Sequence, residues 1–277
     1  MFSGGVIYEC HARGRFRLDE ITPLVGDRVE FDLDKNDKGY LTAIDKRTNV
    51  LLRPPVANID QFVLVLSASK PIPDLLLADK LLIQSERQNV RALIVLNKCD
   101  SAQTETLEQL KSEYVGLEYT FLMTSAKTEE GLAQLKNELY GKLSCFAGQS
   151  AVGKSSILNA MCASFNLGVG DLGRTGRGRH TTRAIELLSL DGEGFVLDTP
   201  GFSLLYMEEI LPEQLQLYYP EMRNFSTKCR FQNCLHAGEP DCTVKSELLG
   251  KRLSHGRYER YLLILEELKE MRKHKYD

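Results

Sequence analysis

The sequence predicts a multi-domain fold: all-β at the N-terminus, α/β in the middle, and loops followed by helices at the C-terminus. Three observations carry this. Residues 1–58 are short β-rich runs broken by turn residues. Residues 59–210 alternate continuous apolar runs with helical stripes around Gly-Gln-Ser-Ala-Val-Gly-Lys-Ser at 148–155. Residues 211–277 hold three cysteines and a histidine within fourteen positions, ahead of a long apolar helical stripe.

At 277 residues, with 43% hydrophobic and 26% charged side chains, the chain has the composition of a globular protein of two or three domains. A net charge of −3 excludes a wholly basic nucleic-acid binder, although it is silent on local patches. No apolar run approaches the ~20 residues of a membrane span, and the N-terminus lacks a signal peptide's apolar core, so a soluble cytoplasmic protein with no membrane partner is expected. Cys10, Cys99, Cys145 and Cys162 are scattered singly, as buried small hydrophobes are, and the odd total of seven fits no disulfide framework.

The runs V-I-Y-E-C, R-F-R-L, D-R-V-E-F-D-L, Y-L-T-A-I and N-V-L-L-R between Gly5 and Arg53 read as about five strands, the size of an OB-fold barrel. Arg13, Arg15 and Arg17 fall on one strand face with Phe16 opposite. Two readings stand for that face: a seat for a phosphate backbone, or a solvated surface. Pro54-Pro55 marks a linker.

In the middle, Gln61–Ser67 and Arg91–Leu96 have the apolar continuity of parallel strands covered on both faces. Asp74 caps a helix carrying Leu75 to Ile83, and Leu107, Leu110 and Tyr114 mark a second helix. A strand at Tyr119–Met123 precedes a helix presenting Leu132, Leu135, Leu139 and Leu143. Two polar motifs sit at strand ends, where open α/β sheets bind ligands: Asn97-Lys98-Cys99-Asp100, and Thr124-Ser125-Ala126-Lys127. A carboxylate at Asp100 can accept hydrogen bonds from guanine's N1–H and exocyclic amine, which adenine does not offer, so any other base leaves it unpaired. Stems of Lys98 and Lys127 can lie along base and ribose.

Leu143–Ala147 reads as a short buried strand, and the loop that follows, Gly148, Gln149, Ser150, Ala151, Val152, Gly153, Lys154 and Ser155, runs into Ser156 and a helix. Glycines at both ends let backbone amides curl around a phosphate, and the helix N-terminus favours the anion. Together with the two base motifs this resembles the TRAFAC class of GTPases over about Asp60 to Leu205. The order is displaced: the phosphate loop follows the base motifs, as in a circularly permuted P-loop GTPase, which close-lying domain termini allow.

Beyond the loop helix come an arginine-rich stretch, Gly168 to Arg183, and two strands ending in Asp198-Thr199-Pro200-Gly201. By the chemistry of magnesium-dependent sites, Asp198 holds Mg2+ beside the Ser155 hydroxyl, the Gly201 amide reaches the γ-phosphate, and Thr182 completes the metal shell, with Thr181 left open as the alternative. The arginine-rich stretch reads either as a linker or as an RNA contact. Where related GTPases carry a water-orienting glutamine, this chain has Phe202. His180 is then the candidate catalytic group, alongside Lys154 on the phosphates.

Cys229, Cys234, His236 and Cys242 form C-x4-C-x-H-x5-C, a filled tetrahedral ligand set for one structural zinc that would fold a segment poor in apolar residues. Tyr258, Tyr261, Leu262, Leu265, Leu268 and Met271 make a packing stripe on a mildly basic C-terminal helix, whose charges are either solvated or in contact with RNA.

A barrel, a permuted nucleotide domain and a Cys3His module in this order, with G-Q-S-A-V-G-K-S, G-R-G-R-H-T-T and D-T-P-G-F, resemble the RsgA (YjeQ) family of bacterial small-ribosomal-subunit-dependent GTPases. The resemblance implies a late assembly factor that binds the small subunit and its rRNA and hydrolyses GTP to GDP and phosphate faster when docked. It is expected to be monomeric, with one Zn2+ and with Mg2+ accompanying GTP. Ser150 matches the family's P-loop serine, whereas Ala151 replaces the usual glycine. The leading alternative is a nucleotide-gated RNA-binding regulator with negligible turnover; an ATPase is a third reading.

Overall fold

A computed structural model describes residues 1–12, 16, 21–35, 38–52, 55–162, 186–190, 194–198, 207, 209–250 and 252–274. Among the described residues the N-terminal part is built mainly of short strands. Strands β1 (Phe2–Ser3) and β2 (Val6–Ile7) form a hairpin. Strands β3 (Cys10–Ala12), β4 (Val29–Leu33) and β5 (Gly39–Ile44) form a three-stranded sheet in the order β3-β5-β4, and β6 (Val50–Leu52) pairs with β7 (Pro55–Ala57). Two local expectations are corrected here. Pro55 opens β7, at the first position, where a missing amide costs the ladder nothing. Phe16 is helical and buried, not part of a strand; four alternating residues are too short a pattern to fix a period. Arg13, Arg15 and Arg17 lie outside the described residues.

The centre is a six-stranded sheet: β8 (Gln61–Ser67), β9 (Arg91–Asn97), β10 (Thr120–Met123), β11 (Leu143–Ala147), β12 (Glu186–Ser189) and β13 (Phe195–Asp198), in the order β10-β9-β8-β11-β13-β12. All neighbours are parallel except the β12–β13 pair at one edge. Every residue of β8 is buried, as a strand covered on both faces must be. Val63, Val65, Leu93 and Val95 face helices α3 (Leu132–Leu139) and α4 (Lys154–Met161). On the opposite face Leu64, Leu66, Ile94 and Leu96 meet α1 (Leu75–Arg87) and α2 (Thr104–Tyr114). Asp74 caps α1 as expected, its Oδ1 accepting from the Leu77 amide at 2.9 Å. Helix α3 ends at Leu139, and Gly141 at φ +68° turns the chain, so Leu143 belongs to β11 and not to the α3 stripe. From β8 the chain winds outward through β9 and β10 on one side and through β11 and β13 on the other, which sets a crevice between the C-terminal ends of β8 and β11.

After β13 come a 3-10 helix (Pro212–Tyr218), α5 (Pro220–Ser226), α6 (Thr243–Leu249) and α7 (His255–His274). This part has its own core, in which Leu215, Tyr219, Met222, Val244, Tyr261, Ile264 and Leu265 join Ile83 of α1. The expectation of a segment with too few apolar residues is therefore corrected: the cysteine-bearing loops rest on apolar side chains supplied by their flanking helices. Tyr258, Tyr261, Leu265 and Leu268 pack as the stripe required.

The basic side of α7 holds a surprise for a solvated-helix reading. Arg257 is fully buried: its Nη1 donates to Asp79 Oδ1 of α1 at 2.6 Å and its Nε to Glu221 of α5, while its guanidinium lies over the rings of Tyr114 and Tyr219. Arg260 donates to Asp79 Oδ2 at 2.5 Å and to Glu113 at 3.0 Å. Burial works against the Arg257 charge, but Asp79 and Glu221 outweigh it and hold the guanidinium protonated.

Candidate functional site

The strand-end motifs and the glycine loop meet in the crevice. Asn97, 1% exposed at the end of β9, donates through Nδ2 to the Val152 carbonyl at 2.9 Å and accepts the Ala126 amide on Oδ1 at 3.1 Å. Lys98, in the left-handed region at φ +65°, donates to the Ala151 carbonyl at 2.8 Å and the Lys70 carbonyl at 2.7 Å. Lys154 opens α4 and folds back onto the carbonyls of Gly148 (2.7 Å) and Gln149 (2.8 Å). Four loop carbonyls are thus held by three side chains. Because C=O and N–H oppose each other across a trans peptide, the amides that follow these carbonyls face the other way, as an anion bound at the N-terminus of α4 would require.

Two glycines are needed for this path. Gly148 sits at φ +133°, where a Cβ would lie 2.3 Å from the Val65 carbonyl oxygen. Gly153 sits at φ +100°, where a Cβ would lie 2.3 Å from Asn97 Nδ2. Ser155 is buried on the first turn of α4 beside Ser156. On the base side, Asp100 is exposed and its Oδ1 accepts from the Ser125 hydroxyl at 2.7 Å, while the buried Ser125 Oγ accepts the Thr128 amide at 3.1 Å. This bond fixes the orientation of the carboxylate. Lys127 is exposed beside it. Burial raises the Cys99 thiol above its ordinary range, so this neighbour of Asp100 stays neutral. Strand β13 pairs with β11 through Leu197 and Cys145, so Asp198, one step on, ends at the same edge as the loop.

A second cluster lies in the C-terminal part. The donor atoms of Cys229, Cys234, His236 and Cys242 all fall within 4.8 Å of one another. Cys229 Sγ and Cys242 Sγ are 3.9 Å apart, and His236 Nδ1 is 3.3 Å from Cys242 Sγ and 3.7 Å from Cys229 Sγ. A tetrahedron with metal–sulfur bonds of ~2.3 Å has edges of about 3.8 Å, so the donor set fits a zinc-sized ion. His236 is fully buried, which lowers its pKa and keeps a lone pair available. Burial pushes the Cys234 thiol up to about 12. It opposes ionisation of Cys229 too, but there the amides of Thr243 and Val244 at the start of α6 and the neighbouring thiols prevail and lower the pKa. A cation would complete this unequal set by drawing all three thiols to thiolates. Burial likewise opposes the charge of Glu239, yet the amides of Leu235, Ala237 and Gly238 outweigh it and hold its carboxyl low, bracing the loop around His236.

Comparison with known proteins decides the family. The RsgA GTPase family model matches residues 44–208, and that of the RsgA N-terminal domain residues 2–41. The chain belongs to the RsgA GTPase family. It is 43% identical over 280 residues to the small ribosomal subunit biogenesis GTPase RsgA of Geobacillus sp. (strain WCH70), covering 100% of this chain and 95% of that protein. The RsgA of Caldanaerobacter subterraneus subsp. tengcongensis is 44% identical over 271 residues, covering 98% and 92%. Among solved structures, YjeQ from Thermotoga maritima superposes with a TM-score of 0.82 at 37% identity, covering 94% of this chain and 89% of that one. YloQ, described as a circularly permuted GTPase, gives 0.79 at 35% identity, covering 95% and 86%. As in that permuted fold, the phosphate loop here follows the base motifs along the chain yet joins them in space.

Among the sequence-predicted residues, the structure brings together Asn97, Lys98, Asp100, Ser125, Ala126, Lys127 and the loop 148–156, and, apart from them, the four metal ligands. His180, Thr181, Thr182, Gly201 and Phe202 lie outside the described residues, as does the side chain of Asp198. Sequence reasoning missed three supports: the Lys70 carbonyl under Lys98, the Gln149 side chain accepting the Asp74 amide at 3.3 Å, and Gln216 at 2.8 Å from His236 Nε2. No motif marks them. The first two depend on the path of a neighbouring loop, and Gln216 lies twenty residues before its partner.

Proposed function

We propose that this GTPase is a late assembly factor of the small ribosomal subunit. In this reading it hydrolyses GTP to GDP and phosphate when docked on the subunit and its rRNA, then leaves in the GDP state. The single observation that carries the nucleotide reading is the pair of hydrogen bonds from Asn97 and Lys98 to the carbonyls of Val152 and Ala151, which bind base motif and phosphate loop into one crevice. The ribosomal part is supported by what the relatives are called, small ribosomal subunit biogenesis GTPases.

The residue roles rest on the chemistry of the motifs, supported at Asp100, Lys98 and the phosphate loop by the contacts described above. Asp100, aimed by Ser125, selects guanine, with Lys98 and Lys127 along base and ribose. Amides of residues 149–156 and the Lys154 ammonium hold the phosphates. Ser155, Thr182 and Asp198 would hold Mg2+, which would supply positive charge to neutralise the phosphates. His180 orients water, and Gly201 contacts the γ-phosphate. Zinc is the metal of the Cys3His cluster. We place residues 1–58, 59–210 and 211–277 as the three domains of a monomeric, cytoplasmic protein. Among the described residues no helix is long and apolar enough to cross a membrane.

The test is phosphate release from GTP in single turnover, with and without small subunits, alongside nucleotide binding by the Asp100→Asn variant. Stimulation by subunits, and a shift of the variant toward xanthosine nucleotides, are expected. Release equally slow in every mixture would leave the nucleotide-gated regulator as the better reading. Unchanged guanine preference in Asp100→Asn would remove the base-reading role.

A further inference from the structure

We propose that Gln216 is the positioning residue of the Cys3His centre: it fixes the tautomer of His236 so that Nδ1, not Nε2, is the nitrogen that binds the metal. This rests on the reading of the cluster as a metal site. The argument begins with the glutamine amide. Its Nε2 donates to the Glu213 carbonyl at 3.1 Å, within the same 3-10 helix, so its oxygen is the end that points away. That oxygen, Oε1, lies 2.8 Å from His236 Nε2. An amide oxygen has no proton to give, so His236 Nε2 must donate and therefore carries the proton. In a neutral imidazole the lone pair is then on Nδ1, which is the nitrogen 3.3 Å and 3.7 Å from the sulfurs of Cys242 and Cys229.

The backbone around the histidine is held with the same care. His236 takes the left-handed region at φ +58°, where its carbonyl accepts from the Tyr258 hydroxyl at 2.6 Å, and the Leu235 carbonyl accepts from the Tyr261 hydroxyl at 3.0 Å. With the main chain pinned by α7, ring rotation is the remaining freedom, and Gln216 is the group that removes it. An outer partner of this kind raises the basicity of its ligand and orients it; its loss typically costs about 10–100-fold in metal affinity. The position has a further consequence. Gln216 sits on the 3-10 helix through which the chain passes from the central sheet into the metal-bearing part, and Glu213 of the same helix pairs with Arg272 of α7 at 3.2 Å. Gln216 thus joins the cluster to that connector through His236, and Arg272 ties the connector to α7.

The test uses the full-length chain loaded with zinc. Transfer of zinc to a chromogenic chelator is measured for the wild type, Gln216→Leu, which keeps the bulk but cannot accept, and Gln216→Glu, which restores an acceptor. We expect release from Gln216→Leu to be about 10–100-fold more favourable, with Gln216→Glu at or above wild-type retention. Long-range 1H–15N correlation on the wild type reads the tautomer directly, and is expected to show His236 protonated at Nε2 with Nδ1 shifted by the metal. Zinc retention in Gln216→Leu within twofold of wild type overturns the positioning role, as does an NMR spectrum with the metal on Nε2. Should Gln216→Leu fail to fold, the wild-type NMR assignment and the Gln216→Glu retention still decide between the outcomes. A purified wild-type chain that binds no zinc would instead remove the underlying reading of the cluster, a result distinct from either of these.

Discussion

Arg257 offers the sharpest test of how the C-terminal helix is fastened to the nucleotide-binding sheet. Around it are two guanidiniums, Arg257 and Arg260, and three carboxylates, Asp79, Glu113 and Glu221. The side chains of Arg257 and Asp79 are 2% and 0% exposed and that of Glu221 is 7% exposed. Arg257→Leu would leave three carboxylates facing one guanidinium, with Asp79 losing one of its two partners and Glu221 losing its own. Removing one member of a buried pair costs about 3–5 kcal/mol, because the stranded charge loses its compensation without regaining water. Asp79→Asn leaves two guanidiniums facing two carboxylates and should cost less. Adding Asp79→Asn to Arg257→Leu removes a stranded charge and should return roughly 1–2 kcal/mol, so the two changes are not additive. The cost is read from urea unfolding followed by tyrosine emission: the chain has no tryptophan, and two of its eleven tyrosines, Tyr114 and Tyr219, have ring centres 5.5 and 4.9 Å from the Arg257 guanidinium carbon. A cost below about 1 kcal/mol for Arg257→Leu, or single-variant costs that simply sum in the double variant, would refute the reasoning.

Three further outcomes are expected. Gly153→Ala should abolish guanine-nucleotide binding in a calorimetric titration while leaving far-UV dichroism unchanged, since its Cβ would lie 2.3 Å from Asn97 Nδ2 at a φ of +100°. Asn97→Ala deprives the Val152 carbonyl and the Ala126 amide of their partner, at about 1–3 kcal/mol for each group left unpaired; nucleotide affinity should fall at least about tenfold, and unaltered affinity would contradict the bracing role. Stripping metal with a chelator should raise amide exchange across residues 229–242 and leave that of β8 untouched, because the apolar core beneath the cluster is separate from the sheet.

Legibility in the sequence followed the range of the interactions. The phosphate loop, the two strand-end motifs and the metal ligands are contiguous or nearly so, and their chemistry dictates their spacing; all were readable, and the structure assembles each group. The sheet was readable because strands buried on both faces must be continuously apolar, as β8 is. Leu143 read both as the end of a helical stripe and as the start of a strand, because a leucine four residues after Leu139 keeps the helical period; Gly141 has already turned the chain, and only the strand reading holds. Arg257 and Arg260 look in sequence like the basic face of a surface helix, since nothing local distinguishes an arginine that meets water from one that meets Asp79, 178 residues away from Arg257.

By itself, then, the amino-acid order determined which atoms can cradle a phosphate, accept from guanine and ligate a soft metal, because those capacities belong to residue types at short spacing. Only the folded chain decided that Asn97 and Lys98 hold the loop carbonyls, that His236 turns Nδ1 toward the cysteine sulfurs and Nε2 toward Gln216, and that two arginines of the last helix are buried against the first helix of the sheet. These are pairings between distant segments, and their energy comes from removing both partners from water at once, which no single stretch of sequence records.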